Sequence, residues 1–433
     1  MAGIQKNYNT DILIVGSGPG ATAFLNELLK KKRYSVIVAE KGKKNVNWGK
    51  STEQRCRNIY RENGSFPKSI EGVIYYRHNG LGGTLEISCA NGVKASKTDI
   101  AKIGIDIEDE MAEVEKELGI TPLPDSHVGD NAAIMISAAQ DLGFQMNPMP
   151  KFIDFDKCTA CAKCESLCPN GAKWSSKKLL ASHEAEGRFM LLDGLKIEEI
   201  VIEKGVARYA LGTTDNGPVK IEARAFVLAG GALGSSVILQ KSGIKAGSNF
   251  FLDLYTVVYG KNKKFQNERD LPMPAFYHHP DDAFLISPYL DPELWIALRH
   301  RKMSGWLNGE NIDGLMIKMK DEPSGSVNPD GTINKSVTEK DKKTMKTGID
   351  IAREILIKSG TREENIIVTS PRGAHPGGVA AVGKVVDENL KVMNVDNMYV
   401  SDSSVFPESL GKPPIVAIMA LSKKLAKSFQ LAQ

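Results

Sequence analysis

The sequence predicts a protein of the α/β class, α+β overall, with a Rossmann-like domain, a second domain built on a β-sheet and a small cysteine-rich insert. Three observations predict it. The N-terminus runs strand, glycine turn, helix, strand; three short strand-like stretches lie within residues 250–370; and four of the six cysteines lie within residues 158–168. We expect two larger units and one loop insert.

The composition excludes several classes of protein. A chain of 433 residues with 42% hydrophobic and 25% charged residues is typical of soluble globular proteins with up to three domains. A net charge of +4 is too small to indicate nucleic-acid binding. No apolar run reaches the roughly 18 residues of a membrane span, and the N-terminus lacks the apolar core of a signal peptide. We therefore expect a cytoplasmic protein.

The N-terminal segment has the pattern of a dinucleotide-binding unit. A strand is predicted at residues 11–15, a helix at 22–32 and a second strand at 35–40. The glycines of the intervening turn let the backbone approach a pyrophosphate, the helix N-terminus offers free N–H groups, and the final acid can bind a ribose hydroxyl. The candidate residues are Gly16, Gly18, Pro19, Gly20, Ala21 and Glu40. The motif alone does not separate FAD from NAD.

The cysteine-rich insert has the spacing C-x2-C-x2-C-x3-C-P, formed by Cys158, Cys161, Cys164, Cys168 and a final proline. This is the bacterial ferredoxin run for a [4Fe–4S] cluster. A zinc knuckle usually has two separated ligand pairs, and disulfides are disfavoured without an export signal. Because no second run is present, the fourth ligand is Cys168, or else Cys56 or Cys89; the sequence favours Cys168.

The remaining elements follow from periodicity and glycine stops. The segment 41–74 is interpreted as irregular and polar. The predicted elements are helices at 106–118, 131–142 and 176–183, strands at 191–203, 206–212 and 220–229, a helix at 236–242, strands at 252–259, 295–298 and 315–319, a helix at 339–358, and a terminal helix after residue 414 ending near 429.

Two further motifs carry a family resemblance. A second glycine-rich turn runs from Gly80 through Gly82, Gly83 and Thr84, with Asn91-Gly92 a few residues on. Near the C-terminus, G-A-H-P-G-G at residues 373–378 precedes S-D at 401–402 and G-K-P-P at 411–414. Together with the N-terminal unit, these motifs resemble the glucose–methanol–choline (GMC) oxidoreductases, which are FAD enzymes with a glutathione-reductase-like FAD domain.

The resemblance implies roles for these residues. The second turn would lie along the FAD pyrophosphate and isoalloxazine, and the terminal helix would direct its N-terminus at the flavin. His375 occupies the position of the family's catalytic histidine, which takes the hydroxyl proton of the substrate. The family resemblance also adds candidate cofactor residues, which are Gly82, Gly83, Thr84, Asn91, Asp402, Pro413 and Pro414.

The resemblance also implies a division of the chain. FAD-binding segments are expected at 1–150, 176–249 and 371–433, the last with the catalytic histidine, and a substrate-binding domain at 250–370. The ferredoxin-like insert at 151–175 resembles one in the long-chain alcohol oxidase type of GMC protein. This match favours the four cysteines acting as one set.

The chain departs from the family at its second catalytic position, usually a histidine or asparagine. Pro413 stands there and offers no side-chain hydrogen bond, so Lys412 or a group from elsewhere is needed. His278, His279 and His300 are interpreted as surface or packing residues. The basic stretch 299–302 is interpreted as a solvated face, or as a docking site for an acidic electron carrier or an anionic substrate.

These observations predict a GMC-type FAD dehydrogenase. A hydroxyl-bearing substrate would lose its proton to His375 and a hydride to FAD, and electrons would leave through the [4Fe–4S] cluster to an external carrier such as ferredoxin. Two alternatives stay open. One is an electron-transfer subunit of a larger complex with a partner protein, and the other is a ferredoxin-driven reductase of a carbonyl or an unsaturated lipid.

Overall fold

The computed structural model describes residues 6–31, 34–62, 64–266, 269–292, 294 and 311–431. Its first sheet has the strand order Met190–Asp193, Val36–Glu40, Lys6–Val15, Gly217–Leu228, Val206–Thr214 and Lys196–Glu203, and Met398–Val400 also pairs with Gly217–Leu228. The four strands from Met190–Asp193 to Gly217–Leu228 in this order pair in parallel. Val206–Thr214 pairs antiparallel with both of its neighbours, Gly217–Leu228 and Lys196–Glu203. This is the predicted Rossmann-like sheet.

The second sheet is mainly antiparallel. Its order is Ile74–Tyr75, Arg372–Gly373, Leu254–Lys261, Ile312–Met319, Phe284–Pro288, Ala275–His278 and Asn147–Pro148, and Ile366–Val368 also pairs with Leu254–Lys261. Smaller sheets join Ser248–Phe250 with Gly325–Val327 and Ile333–Asn334, and Thr121–Pro122 with Pro150–Lys151. Strands from the expected FAD-binding segments therefore complete the sheet of the expected substrate domain.

Helices cover both sheets. The α-helices of the described residues are Pro19–Leu28, Thr52–Tyr60, Lys97–Ile103, Glu108–Leu118, Asp130–Asp141, Ser176–Ala185, Gly231–Lys241, Glu339–Lys358 and Ile415–Ser428. The terminal helix packs on the first helix and on Glu108–Leu118, and its first eight residues are all buried. Glu339–Lys358 packs its apolar stripe against the second sheet. Each sheet thus has its own hydrophobic core.

The structure corrects two sequence predictions. The polar segment 41–74 contains the helix Thr52–Tyr60, which begins with a capping box between Ser51 and Gln54 and buries Cys56 and Ile59. This helix was not predicted because it has too few apolar residues to show a helical period. The single strand predicted at 191–203 is two strands, because Gly194 takes a left-handed conformation between them. The strand predicted at 295–298 lies outside the described residues.

No helix among the described residues has both the length and the apolar content to cross a membrane.

Candidate active site and cysteine cavity

One cavity of about 520 Å³ is lined by residues from both sheets and from the C-terminal segment. This volume is within the range of small-molecule and cofactor sites. Of the sequence-predicted cofactor residues, those that line it are Gly16, Gly18, Pro19, Gly20, Glu40, Gly83, Thr84, Asn91, Asp402, Pro413 and Pro414. The predicted catalytic residue His375 lines it too. Folding therefore gathers motifs that are almost 400 residues apart in sequence.

The first glycine turn is shaped as a cradle. A Cβ at Gly16 would lie 2.2 Å from the Ala229 oxygen, and one at Gly20 would lie 1.8 Å from the Ser401 oxygen. At Gly18, by contrast, a Cβ would meet no atom of the described residues within 4 Å. The turn is thus closed toward the protein and open toward the cavity, where a pyrophosphate could approach the backbone and the N-terminus of the first helix.

Glu40 and Ser17 connect the two glycine turns. Glu40 ends its strand in a buried position, where its carboxylate accepts hydrogen bonds from the Ser17 hydroxyl at 2.6 Å and the Gly42 amide at 2.7 Å. Burial raises the pKa of Glu40, and these two hydrogen bonds oppose the rise. Ser17 in turn accepts from the Gly82 amide at 3.0 Å. The sequence argument missed Ser17, which lies between the motif glycines.

Two predicted cofactor residues lie beside the cavity without lining it. Ala21 is buried in the first helix, where a small side chain suits close packing. Gly82 takes a left-handed conformation with φ of 94°, and a Cβ there would collide with the Glu86 side chain. Their contribution is to the shape of the two turns.

The C-terminal motif closes the cavity. Asp402 is buried and accepts hydrogen bonds from the Gly231 amide at 2.9 Å and the Ser235 hydroxyl at 2.6 Å. Burial raises its pKa, against these hydrogen bonds. Pro414 immediately precedes the terminal helix, and no side chain in the described part of the chain caps that helix. Its unpaired N–H groups and positive end are therefore available to an electron-rich ligand.

These features fit FAD, and they predict how Gly18 substitutions behave. Gly18 has φ of −70°, which any residue can adopt. Gly18→Val should therefore leave the flavin-free fold stable but fill the cradle, weakening FAD binding at least about tenfold. Titration with FAD and thermal unfolding of the apoprotein measure the two effects. Gly20→Ala should instead destabilise the fold. If Gly18→Val bound FAD as tightly as the unaltered protein does, this assignment would be contradicted.

A buried network surrounds His375 at the cavity wall. Asp253 is 1% exposed, and its Oδ2 lies 2.9 Å from His375 Nδ1 and 3.0 Å from Lys318 Nζ. Its Oδ1 accepts from the Ser409 hydroxyl. Because an ionised carboxylate only accepts, His375 carries its proton on Nδ1, which leaves Nε2 as the basic nitrogen. Asp253 and Lys318 are functional candidates that the sequence argument missed.

The electrostatics keep this network in a defined charge state. Burial and the nearby Lys318 charge lower the pKa of His375 to about 4, although Asp253 opposes the shift. Burial tends to raise the pKa of Asp253, but Lys318 and His375 outweigh it and hold that pKa at about 2. Near neutral pH, therefore, a neutral imidazole lies beside the Asp253 carboxylate, which also pairs with Lys318.

The other candidates from the sequence lie away from the cavity wall. Lys412 is buried in ion pairs with Asp99 at 2.7 Å and Asp282 at 3.1 Å, so it does not supply the missing second catalytic group. His278 pairs with Asp282 and is partly exposed, as expected of a surface residue. His300 and the basic stretch 299–302 lie outside the described residues.

The four clustered cysteines line a second, smaller cavity. Cys158, Cys161, Cys164 and Cys168 all contribute to its wall. Ala160, Ala162 and Leu167, which lie between them, take left-handed backbone conformations that cost energy in non-glycine residues. Within the described ranges, no group of three or more histidine, cysteine or acidic side chains is arranged to hold a single metal ion.

Two buried lysines adjoin the cysteine loop. Lys173 Nζ donates at 2.8–3.2 Å to the backbone oxygens of Leu85, Glu86, Ser88 and Cys164. Lys151 Nζ donates to two backbone oxygens and the Asn91 side chain. Burial raises the pKa of the Cys164 thiol, and the charges on Lys173 and Lys151 oppose this. Buried cations bonded only to neutral oxygens favour an anion nearby.

The fold and the larger cavity together define the class of flavin-dependent oxidoreductases. Models of the GMC oxidoreductase family match residues 56–262 and 317–422, which is more than half of the chain. The chain belongs to the GMC oxidoreductase family and is an FAD-dependent oxidoreductase that acts on CH–OH groups.

Several relatives span nearly the whole chain. An uncharacterized protein of Methanocaldococcus jannaschii is 32% identical, over 96% of this chain and 99% of its own length. A long-chain-alcohol oxidase of Arabidopsis thaliana is 22% identical, over 96% of this chain and 68% of its own. The crystal structure of pyridoxine 4-oxidase from Mesorbium loti superposes with a TM-score of 0.77 at 17% identity, covering 97% of this chain and 99% of that one.

Proposed function

We propose that the protein is a dehydrogenase that oxidises a hydroxyl-bearing substrate and passes the electrons through a [4Fe–4S] cluster to an external carrier such as ferredoxin. When bound, FAD would accept the hydride from the carbinol carbon, and the cluster would release electrons one at a time. The observation that carries the proposal is that Lys173 bonds both to the turn lining the flavin cavity and to the cysteine loop.

The chain's own residues support the first half of this reaction. His375 Nε2 is unprotonated near neutral pH, lies on a side chain that lines the cavity, and is oriented through Nδ1 by Asp253. It is therefore suited to accept the substrate's hydroxyl proton. Tyr76, Tyr255 and Tyr289 from the region of the second sheet line the same cavity and favour a substrate with an apolar or aromatic body.

The cysteine loop supports the second half. Four thiols line one cavity, and in a cubane each thiolate binds a different iron. Cys168 shares this cavity, whereas Cys89 lines the flavin cavity and Cys56 packs with Ile59, Tyr60 and Ile87. We therefore assign Cys158, Cys161, Cys164 and Cys168 as the ligands. The charges of Lys151 and Lys173 would offset the cluster's negative charge.

An exit route for electrons is also supported. Cys161 is exposed, while Cys164 is buried next to the segment that lines the flavin cavity. A cluster held between them would have one side toward the flavin and the other toward solvent. Lys157 and Lys178 are exposed near the loop and would favour an acidic carrier.

The test is an anaerobic titration of the purified protein. Iron, sulfide and flavin are assayed, and the spectrum is followed while benzyl alcohol, 1-dodecanol, pyridoxine, glucose and lactate are added in turn. About four irons per flavin, with bleaching by one of these compounds, would support the dehydrogenase. Bleaching only by reduced ferredoxin or dithionite would contradict it and favour a reductase or an electron-transfer subunit.

The pH dependence of flavin reduction should reflect His375. Its folded pKa is lowered to about 4, so the basic form persists as the pH falls through the ordinary histidine value of about 6.5. The kcat/KM for the reducing compound should therefore stay level through that value and fall only as the pH approaches about 4. Stopped-flow reduction at varied pH measures this. An acid limb near pH 6.5 would contradict the assigned environment of His375.

A further inference from the structure

Lys318 occupies a position that the family resemblance did not single out. It lies in the strand Ile312–Met319, opposite Tyr255 of the neighbouring strand, and this register places it beside Asp253. Lys318 is 3% exposed and lines the flavin cavity, as His375 does. Both Lys318 Nζ and His375 Nδ1 contact the same oxygen, Asp253 Oδ2. One carboxylate therefore positions two cavity-lining nitrogens.

Lys318 has N–H donors without an acceptor among the described residues, unlike the buried lysines Lys151 and Lys173. An ammonium has three N–H donors. Lys318 Nζ lies 3.0 Å from Asp253 Oδ2, and no second acceptor for its remaining N–H donors is found among the described residues. Lys173 and Lys151, by contrast, donate to several oxygens each. Because buried donors without an acceptor are costly, an ammonium at a cavity wall favours a ligand with an oxygen acceptor.

We propose that Lys318 is the second hydroxyl-binding group of this active site, which supplies the hydrogen bond that Pro413 cannot. This inference rests on the proposed dehydrogenase function. His375 Nε2 accepts the substrate's O–H proton, and Lys318 keeps its protons while donating to the substrate oxygen. FAD, when bound, would supply the acceptor for the hydride of the carbinol carbon. The charge that develops on this oxygen as the O–H bond breaks is stabilised by the nearby ammonium.

The charges around Lys318 agree with this role. The pKa of Lys318 is lowered by burial, and Asp253 and, more weakly, Asp321 and Cys89 oppose this shift. Asp253 keeps the site near neutral overall, which suits an uncharged hydroxyl group better than a strongly anionic substrate. The same carboxylate holds both the donor and the proton acceptor, so an incoming hydroxyl would meet a preorganised pair.

The test compares Lys318→Met with Lys423→Met. Lys423 is 4% exposed, pairs with Glu27, Glu113 and Glu117, and lies away from the cavity, so it is a matched buried lysine. With the compound from the titration panel that reduces the flavin fastest, Lys318→Met should slow reduction at saturation about 100-fold or more, and Lys423→Met less than threefold. Flavin content verifies that each variant is folded.

Two further readouts separate a positioning role from a merely structural one. Loss of the Lys318 charge should raise the pKa of His375, so the acid limb of the pH profile should move upward in Lys318→Met only. In Lys318→Ala, methylammonium should restore the rate at least tenfold by replacing the missing ammonium. Lys318→Ala also tests the inference if Lys318→Met does not bind flavin.

The outcomes distinguish this inference from the proposed function. If His375→Ala is inactive while Lys318→Met reduces its flavin within threefold of the unaltered rate, the inference is overturned and the dehydrogenase stands. Equal losses in Lys318→Met and Lys423→Met, or no rescue by methylammonium, also overturn it. If no panel compound reduces the unaltered protein, both proposals fall.

Discussion

Replacing His375 with alanine should slow reduction of the bound flavin by an alcohol about 10²–10⁴-fold, the range usual for loss of a general base. This corresponds to about 3–5 kcal/mol of transition-state stabilisation. The reason is geometric, since Nε2 is the basic nitrogen of the imidazole, on a side chain that lines the cavity, and Asp253 orients it. Stopped-flow reduction under anaerobic conditions measures the rate directly.

The variant should still fold and bind flavin, because His375 makes its side-chain hydrogen bond within the Asp253 network and not within the glycine cradle. His278→Ala is the matched control, since that histidine also contacts an aspartate but lies away from the cavity. Its rate should be unchanged. A His375→Ala rate within tenfold of the unaltered enzyme would show that another group accepts the proton.

Replacing Cys164 with alanine should remove the proposed [4Fe–4S] cluster altogether. Iron should fall from about four per chain to near zero, because three cysteine ligands in this short loop leave one iron without its thiolate. Flavin should remain bound and should still be reduced by the substrate. Transfer onward to ferredoxin should fall at least about 100-fold, since the flavin then lacks its one-electron route to the exposed side near Cys161.

Cys56→Ala provides the control and resolves the alternative ligand. Cys56 is buried in a separate apolar group with Ile59, Tyr60 and Ile87, so its loss should leave the iron content unchanged. Iron and sulfide assays with electron paramagnetic resonance of the reduced protein decide between these results. Full iron in Cys164→Ala, or loss of iron in Cys56→Ala, would contradict the assigned ligand set.

The sequence predicted the parts of the site that depend on local chemistry. The tight turns at Gly16 and Gly20 need glycine because carbonyl oxygens lie where a Cβ would be, and this need is visible as a motif. Long elements with a clear helical period could also be predicted from the sequence, such as the helix predicted at 339–358 and found at Glu339–Lys358. The helix Thr52–Tyr60 was missed because its signal is a polar capping box with few apolar residues.

The missed functional candidates have a common reason. Asp253 and Lys318 are 65 residues apart in sequence and carry no motif. Asp253 directly precedes the strand Leu254–Lys261, and the pairing of this strand with Ile312–Met319 brings Lys318 to the Asp253 oxygen that His375 also contacts. Lys412, one of the two alternatives left open for the missing second catalytic group, is instead held by Asp99 and Asp282. Proximity in sequence was a poor guide because the Lys412 side chain is held by ion pairs with residues that are distant in the chain.

By itself, the sequence determined the class of the fold, the family, the glycine cradle and the cysteine spacing, because each of these depends on residues close together in the chain. Tertiary structure alone decided which cation faces the cavity, which thiols share a wall, and that Lys173 joins the flavin-lining turn to the cysteine loop. These are long-range contacts, and their partners are chosen by strand register and burial, which no local pattern records.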